Sequence, residues 1–243
     1  MAISSAVWKG KTTGVGGRLI VTMPPRHGKS ELISHWVPAW YLHNWPRDKI
    51  IITTYEENFA RNWGRRTRNT INRHDGINTF LSKDTKAAGE WETDKGGGML
   101  AAGVGGPITG RGFHLGIIDD PVKNWIEAQS KTIRENIINW FNSTFYTRAE
   151  PGATIILLMT RWHQADLAGY LLREHEDPWI EIKYPALAEG KDTLGRNEGE
   201  ALCPERYTEE RLLRIKKAVG SMVWAGLYQQ RPSPIEGAVW RLE

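Results

Sequence analysis

The stretch Met23-Pro24-Pro25-Arg26-His27-Gly28-Lys29-Ser30 holds the residue types that grip a polyphosphate. Gly28 lets backbone N–H groups approach an anion closely. The Lys29 ammonium can reach β- and γ-phosphates, and the Ser30 hydroxyl is a hard oxygen ligand for Mg2+. Arg26, His27 and Glu31 complete the stretch expected to touch ATP. The spacing departs from Gly-x-x-x-x-Gly-Lys-[Ser/Thr] at one end, where Met23 stands in place of the first glycine. Pro24 and Pro25 have no N–H, so the cradle must draw its donors from Arg26 to Ser30.

A second constellation is Leu115-Gly-Ile-Ile-Asp119-Asp120, an apolar run closed by two acids. Such an arrangement is costly unless a cation or donor meets the carboxylates. Asp119 is expected to hold Mg2+ and Asp120 to polarise the attacking water, with Glu127 in reserve as the base. The plainer alternative is a pair of acids opening a turn before Pro121. A third run, Leu158-Met-Thr160-Arg161-Trp162-His163, puts Thr160 at a strand tip, where it could sense a γ-phosphate with Arg161 beside it. His163 reads as a packing or hydrogen-bonding residue, and no second histidine stands at metal spacing, so zinc is not expected. Positive charge for the transition state could come from Arg26 in cis. It could also come from Arg111 in Thr109-Gly-Arg-Gly112, whose glycines suit a finger reaching a neighbouring subunit. A loop arginine bonding backbone carbonyls is the alternative for Arg111.

These residues need a frame. Short apolar runs at 18–23, 49–54, 114–119, 153–159 and 179–184 read as buried strands. Between them lie helical patterns over 29–43 (with Pro38 as a kink), 56–71, 130–147, 164–174 and 208–218. The stripe Ile133, Ile137, Phe141, Phe145 has helical spacing, and Ser130 is placed to cap it. Strands alternating with helices predict an α/β fold with a mostly parallel sheet and helices on both faces. With the phosphate loop and the acid-tipped strand, that is a P-loop NTPase of the ASCE type. The Gly-rich stretch 76–110 reads as a hairpin or loop insert, and 186–204 as a surface loop. Arg61, Arg65 and Arg68 share a helix face read as solvated, with phosphate-backbone contact as the alternative.

Composition agrees with a folded, non-membrane chain. Its 243 residues can bury a large core without a disulfide or metal staple. No apolar run approaches the ~20 residues that span a bilayer. The N-terminus shows no basic-then-apolar secretory pattern. The single cysteine, Cys203, excludes a Cys-based zinc site and fits a reducing compartment. The charge, 32 − 28 = +4, permits a nucleic-acid partner without demanding one. The 12 tryptophans are spread from Trp8 to Trp240, so they read as core packing rather than an aromatic box.

In order along the chain, Val21–Leu32, Gly105–Gly112, Ile117–Val122, Leu158–His163 and Tyr228–Pro234 resemble the large terminase subunit of tailed bacteriophages. The resemblance implies a Mg2+-dependent ATPase that drives double-stranded viral DNA into a procapsid in the host cell cytoplasm. Its partners would be the portal protein, a small terminase subunit and further copies of itself in a ring, commonly a pentamer. It divides the chain into a lead-in (1–17), an ATPase domain (18–205) and a helical appendage with linker (206–243) toward a nuclease domain that is not expected here. No cutting of DNA is therefore expected from this chain. The stretch ahead of the first strand is short for the family's upstream adenine-contacting segment. Many members also carry the loop arginine one residue before Arg26. Two other readings stay open: a non-catalytic DNA- or portal-binding remnant of such a domain, and a helicase-like translocase.

Overall fold

The computed structural model describes residues 2–190 and 192–232. The chain opens with helix α1 (Ala2–Thr13), then strand β1 (Arg18–Thr22). A π-helical turn (Glu31–Trp36) runs into α2 (Val37–Asn44), followed by β2 (Lys49–Thr54) and α3 (Glu57–Arg73). Next come β3 (Leu81–Lys86), β4 (Glu90–Thr93), β5 (Gly98–Gly103) and β6 (Phe113–Asp119). Helices α4 (Trp125–Gln129) and α5 (Lys131–Trp140) lead through π and 3-10 turns into β7 (Ala149–Met159). The chain continues with α6 (Leu167–Arg173), β8 (Ile180–Lys183) and α7 (Glu209–Val223), closing on a π turn (Trp224–Tyr228).

The eight strands form one sheet in the order β3-β4-β5-β2-β6-β7-β1-β8. From β5 to β8 every pairing is parallel. β4 and β3 add an antiparallel edge. Parallel strands are buried on both faces, and period-two alternation divides their side chains accordingly. Leu19, Val21, Ile50, Ile52, Ile156 and Leu158 pack with residues of α1, α2 and α3. Ile20, Ile51, Ile118, Ile155 and Leu157 pack with residues of α4, α5 and α6. The fold class expected from the sequence is the one observed.

Several local expectations change. The lead-in is helical: Val7 of α1 is buried and Gly10 packs against the Gly152 carbonyl. The helix expected over 29–43 starts as a π turn, in which the Val37 N–H bonds Leu32 O, five residues back. Pro38 has no N–H to donate, and it sits in the first turn of α2, where none is needed. The 76–110 stretch contains the expected hairpin, β3 with β4, but also β5, which joins the main sheet beside β2. Its small residues, Gly98-Met-Leu-Ala-Ala-Gly103, hid it from β-propensity. They are small because α3 packs tightly over them; a Cβ at Gly64 would lie 3.3 Å from Ala101 Cβ. Pro151 and Gly152 lie inside β7 rather than ending a helix.

The 186–204 stretch is not simply surface. Ala186 and Ala201 pack with Leu212 and Trp224 in a small third core, so residues on both sides of position 205 share it. Gly220, expected to stop the last helix, interrupts it with φ 80°. Trp63, Trp91, Trp140 and Trp224 are buried, whereas Trp8 and Trp36 are exposed. Trp240 and the end of the expected linker, Ser233 and Pro234, lie outside the described residues. Among the described residues, no helix is long and apolar enough to cross a membrane.

Candidate nucleotide site

Parallel strands send all their C-terminal tips to one edge of the sheet, where loops have room to take a ligand. β1 ends there in the phosphate loop, and β6 ends there in Asp119. β7 lies between them, with Thr22 level with Met159 and Asp119 level with Leu158. The two stretches picked out by their chemistry are thus one strand apart and within one residue of the same height.

The loop turns through two left-handed residues, Arg26 (φ 64°) and Gly28 (φ 87°). Glycine adopts this conformation freely, while for arginine it is strained. Open space lies where a Gly28 Cβ would be, so the backbone there is accessible. Asp120 is also left-handed (φ 46°), a conformation aspartate tolerates better than most residues. Its backbone is pinned on both sides: its N–H donates to Leu158 O at 2.8 Å, and its carbonyl accepts from Tyr55 N at 3.3 Å.

The side chains converge. Lys29 Nζ lies 2.5 Å from Asp120 Oδ2. The Ser30 hydroxyl donates to Asp119 Oδ1 at 3.1 Å, and the Ser34 hydroxyl donates to Oδ2 at 2.7 Å. Asp119 is fully buried, and its carboxyl is pushed up to about 7 by burial first and the negative charge of Asp120 second. Lys29 and the two serine hydroxyls pull it the other way. Burial alone would lower the Lys29 pKa, but Asp120 and Asp119 together outweigh it and hold the ammonium protonated above its ordinary value. The Thr160 N–H donates to Asp120 Oδ1 at 2.9 Å, and its hydroxyl reaches Met23 O at 3.4 Å. Thr160 therefore ties the second acid to the start of the phosphate loop.

The other expected residues are placed as follows. Arg26 lines a cavity of about 410 Å3 with Gly28, Lys29, Ser30, Glu31 and Asp120. Glu31 is held by Arg66 at 2.7 Å and by His35 Nδ1 at 2.8 Å. His27 stacks on Tyr207, ring centroids 4.7 Å apart, with Nδ1 bonded to Pro25 O at 2.8 Å. Burial lowers the His27 pKa, and the charges of Arg206 and Arg196 add to this.

Arg161 departs from its expected nucleotide contact. It is buried, its Nε donates to Asp166 Oδ2 at 2.9 Å, and its N–H donates to Gln230 Oε1 at 3.2 Å. Two of the motif stretches thus meet in a structural joint. Arg111 lies just before the N-terminal end of β6, at the opposite edge of the sheet from Asp119, and is paired with Glu90. It does not reach this chain's own loop. Glu127 accepts from the Lys123 N–H at 3.2 Å.

Sequence reasoning missed several residues at the site. Ser34 stands four residues after Ser30, a helical spacing that could have flagged it. Phe59 and Trp63 of α3 and Arg206 also line the cavity. No local pattern marks them, because only the tertiary fold brings them near.

The sequence profile described as "Terminase large subunit, T4likevirus-type, N-terminal" matches residues 20–243. The chain belongs to this terminase large-subunit family. No curated protein matches. Among solved structures, the large terminase of HK97 bacteriophage is similar at TM-score 0.61 and 14% identity, covering 95% of this chain and 49% of that one. The large terminase of a thermophilic bacteriophage, in complex with ATP-gamma-S, aligns at TM-score 0.53 and 10% identity, over 91% of this chain and 50% of that one. The same phage's large terminase in complex with ADP aligns at TM-score 0.50, also at 10% identity, over 91% and 51%. At these identities the likeness is one of fold. This terminase chain spans about half the length of those proteins.

Proposed function

We propose that this chain is a Mg2+-dependent ATPase whose turnover moves double-stranded viral DNA into a procapsid. The observation that carries the reading is the junction of Lys29 and Ser30 with Asp119 and Asp120 across one intervening strand. Family membership supports it, as does the likeness to a terminase solved with ATP-gamma-S.

The residues suit the chemistry. Ser30 and Asp119 are hard oxygen donors side by side, and the raised carboxyl pKa of Asp119 marks a buried acid without enough positive charge around it. A Mg2+ ion held by Ser30 and Asp119 would supply that charge and offset the negative charge of the phosphates. Lys29 meets the β- and γ-phosphates. As its ammonium turns to them, Asp120 Oδ2 is released while Oδ1 stays anchored on the Thr160 N–H. The freed oxygen accepts a proton from the water attacking the γ-phosphorus in line with the leaving oxygen. Arg26 adds charge stabilisation in cis, and Arg111 is available to a neighbouring copy in a ring. Within an infected host cytoplasm, the portal protein and a small terminase subunit complete the assembly.

Phosphate release with ATP, Mg2+ and double-stranded DNA tests this. Asp120→Asn should lower turnover by about 10²–10⁴-fold, the usual worth of a general base. If the chain binds ATP by calorimetry yet releases no phosphate at any protein or DNA concentration, it is the non-catalytic module instead. Strand displacement on a forked duplex would mark the helicase-like alternative.

A further inference from the structure

The cavity at the phosphate loop is ringed by charge, and most of that charge is spoken for. Lys29 is paired with Asp120, and Glu31 with Arg66. Arg26 and Arg206 also line the cavity, and among the described residues neither has an acidic partner. The contrast with neighbouring arginines is clear: Arg161 is paired with Asp166 and Arg196 with Asp192. Arg26 belongs to the loop itself. Arg206 comes from the far end of the chain, just ahead of α7.

Arg206 is exposed, but its backbone is held in place. Its N–H and that of Tyr207 both donate to Cys203 O, at 3.0 and 2.8 Å. The Tyr207 ring lies against His27 at an interplanar angle of 18°. The guanidinium carbons of Arg206 and Arg211 sit 5.9 and 5.0 Å from the Tyr207 ring centroid. The Thr208 side chain caps α7 by accepting from Arg211 N. The stacked pair therefore fastens this turn to the phosphate loop, where Arg206 lines the cavity with no acidic partner among the described residues. An unpaired guanidinium beside a loop built for phosphate is best satisfied by a phosphate oxygen.

We propose that Arg206 binds the phosphate chain of ATP in cis, so that the segment after β8 supplies part of the nucleotide site. This rests on the ATPase reading and adds a ligand to that site. It also gives the His27–Tyr207 stack a purpose, as the brace that fixes Arg206 against the loop.

The test is calorimetric titration of the whole chain with Mg-ATP, Mg-ADP and tripolyphosphate. The variants are Arg206→Gln, which keeps the stem and a planar head without the charge, and Arg206→Ala. A charge-assisted hydrogen bond lost from a binding site corresponds to about 10- to 100-fold in affinity. Both variants should lose that much for all three ligands, with their melting temperature in the absence of ligand unchanged. Tripolyphosphate carries no base or ribose, so its loss reports the phosphate contact alone. If the wild-type chain binds ATP and Arg206→Gln binds it within twofold, the proposal is overturned. A loss seen in Arg206→Ala only would overturn it too, since that is a packing effect. If the wild-type chain binds neither nucleotide nor tripolyphosphate, the ATPase reading itself fails, which is a separate result.

Discussion

Lys29 and Asp120 form an ion pair at 2.5 Å, with both side chains largely withdrawn from water. The lysine proposed to meet phosphate and the acid proposed to polarise water thus restrain each other. Lys29→Ala should abolish turnover, and the ion pair gives it a cost in stability as well. Removing Lys29 strands two adjacent carboxylates, one fully buried, with no cation between them. The variant should lose about 3–5 kcal/mol in the absence of nucleotide. The double variant Lys29→Ala/Asp120→Asn should recover much of that loss in urea unfolding. A Lys29→Ala chain as stable as wild type would show that the pair is not formed in solution.

Asp119 is a buried acid held against its preference. Its carboxyl is pushed up to about 7, mainly by burial, whereas an unfolded aspartate ionises near its ordinary value of 3.8. A folded-state value raised in this way stabilises the fold at low pH. That contribution is complete below about pH 4 and is lost as pH rises to about 7. Asp119→Asn should flatten this part of the pH–stability curve. It should also stabilise the chain without nucleotide by roughly 1–2 kcal/mol at pH 8, because Lys29 and Asp120 remain matched one to one. Thermal melts at pH 5 and pH 8 read both effects. An equal change at the two pH values would refute the raised carboxyl.

Thr160 holds Asp120 through its backbone N–H, not its hydroxyl. The hydroxyl makes only a long contact with Met23 O. Thr160→Ala should therefore leave hydrolysis within about tenfold of wild type, since the anchoring N–H survives. A collapse of turnover to the level of Asp120→Asn would restore the threonine hydroxyl as the γ-phosphate sensor.

Arg161 is expected to report on folding rather than on nucleotide. Arg161→Ala leaves Asp166 buried without its cation and should cost about 3–5 kcal/mol. Nucleotide affinity, measured well below the melting temperature, should stay within about threefold of wild type (~0.7 kcal/mol). Weak ATP binding by a well-folded Arg161→Ala chain would return this arginine to the nucleotide site.

Arg111 cannot serve the loop of its own chain, because the length of β6 separates it from Asp119. If it serves a neighbour, Arg111→Ala should bind ATP normally and turn over poorly. Mixing it with Asp120→Asn should restore part of the activity, since a mixed interface contains one intact site. Phosphate release from the mixture that merely averages the two variants would remove Arg111 from the reaction.

The parts governed by local chemistry were legible in the sequence. Gly28-Lys29-Ser30 and Asp119-Asp120 stand out as residue types suited to phosphate and Mg2+, and the fold brings the two stretches together. The buried strands announce themselves because a parallel sheet needs continuous apolar runs. β5 and α1 did not, because their small residues and glycines are chosen by close approach of a neighbour, which leaves no periodic mark. What only the tertiary structure decided is which charges meet. It gave Arg161 to Asp166, placed Arg111 at the far edge, and brought Arg206 and Tyr207 onto a loop about three quarters of the chain away. A side chain's partner is set by distances across the fold, and sequence spacing reports those distances only within a single helix or strand.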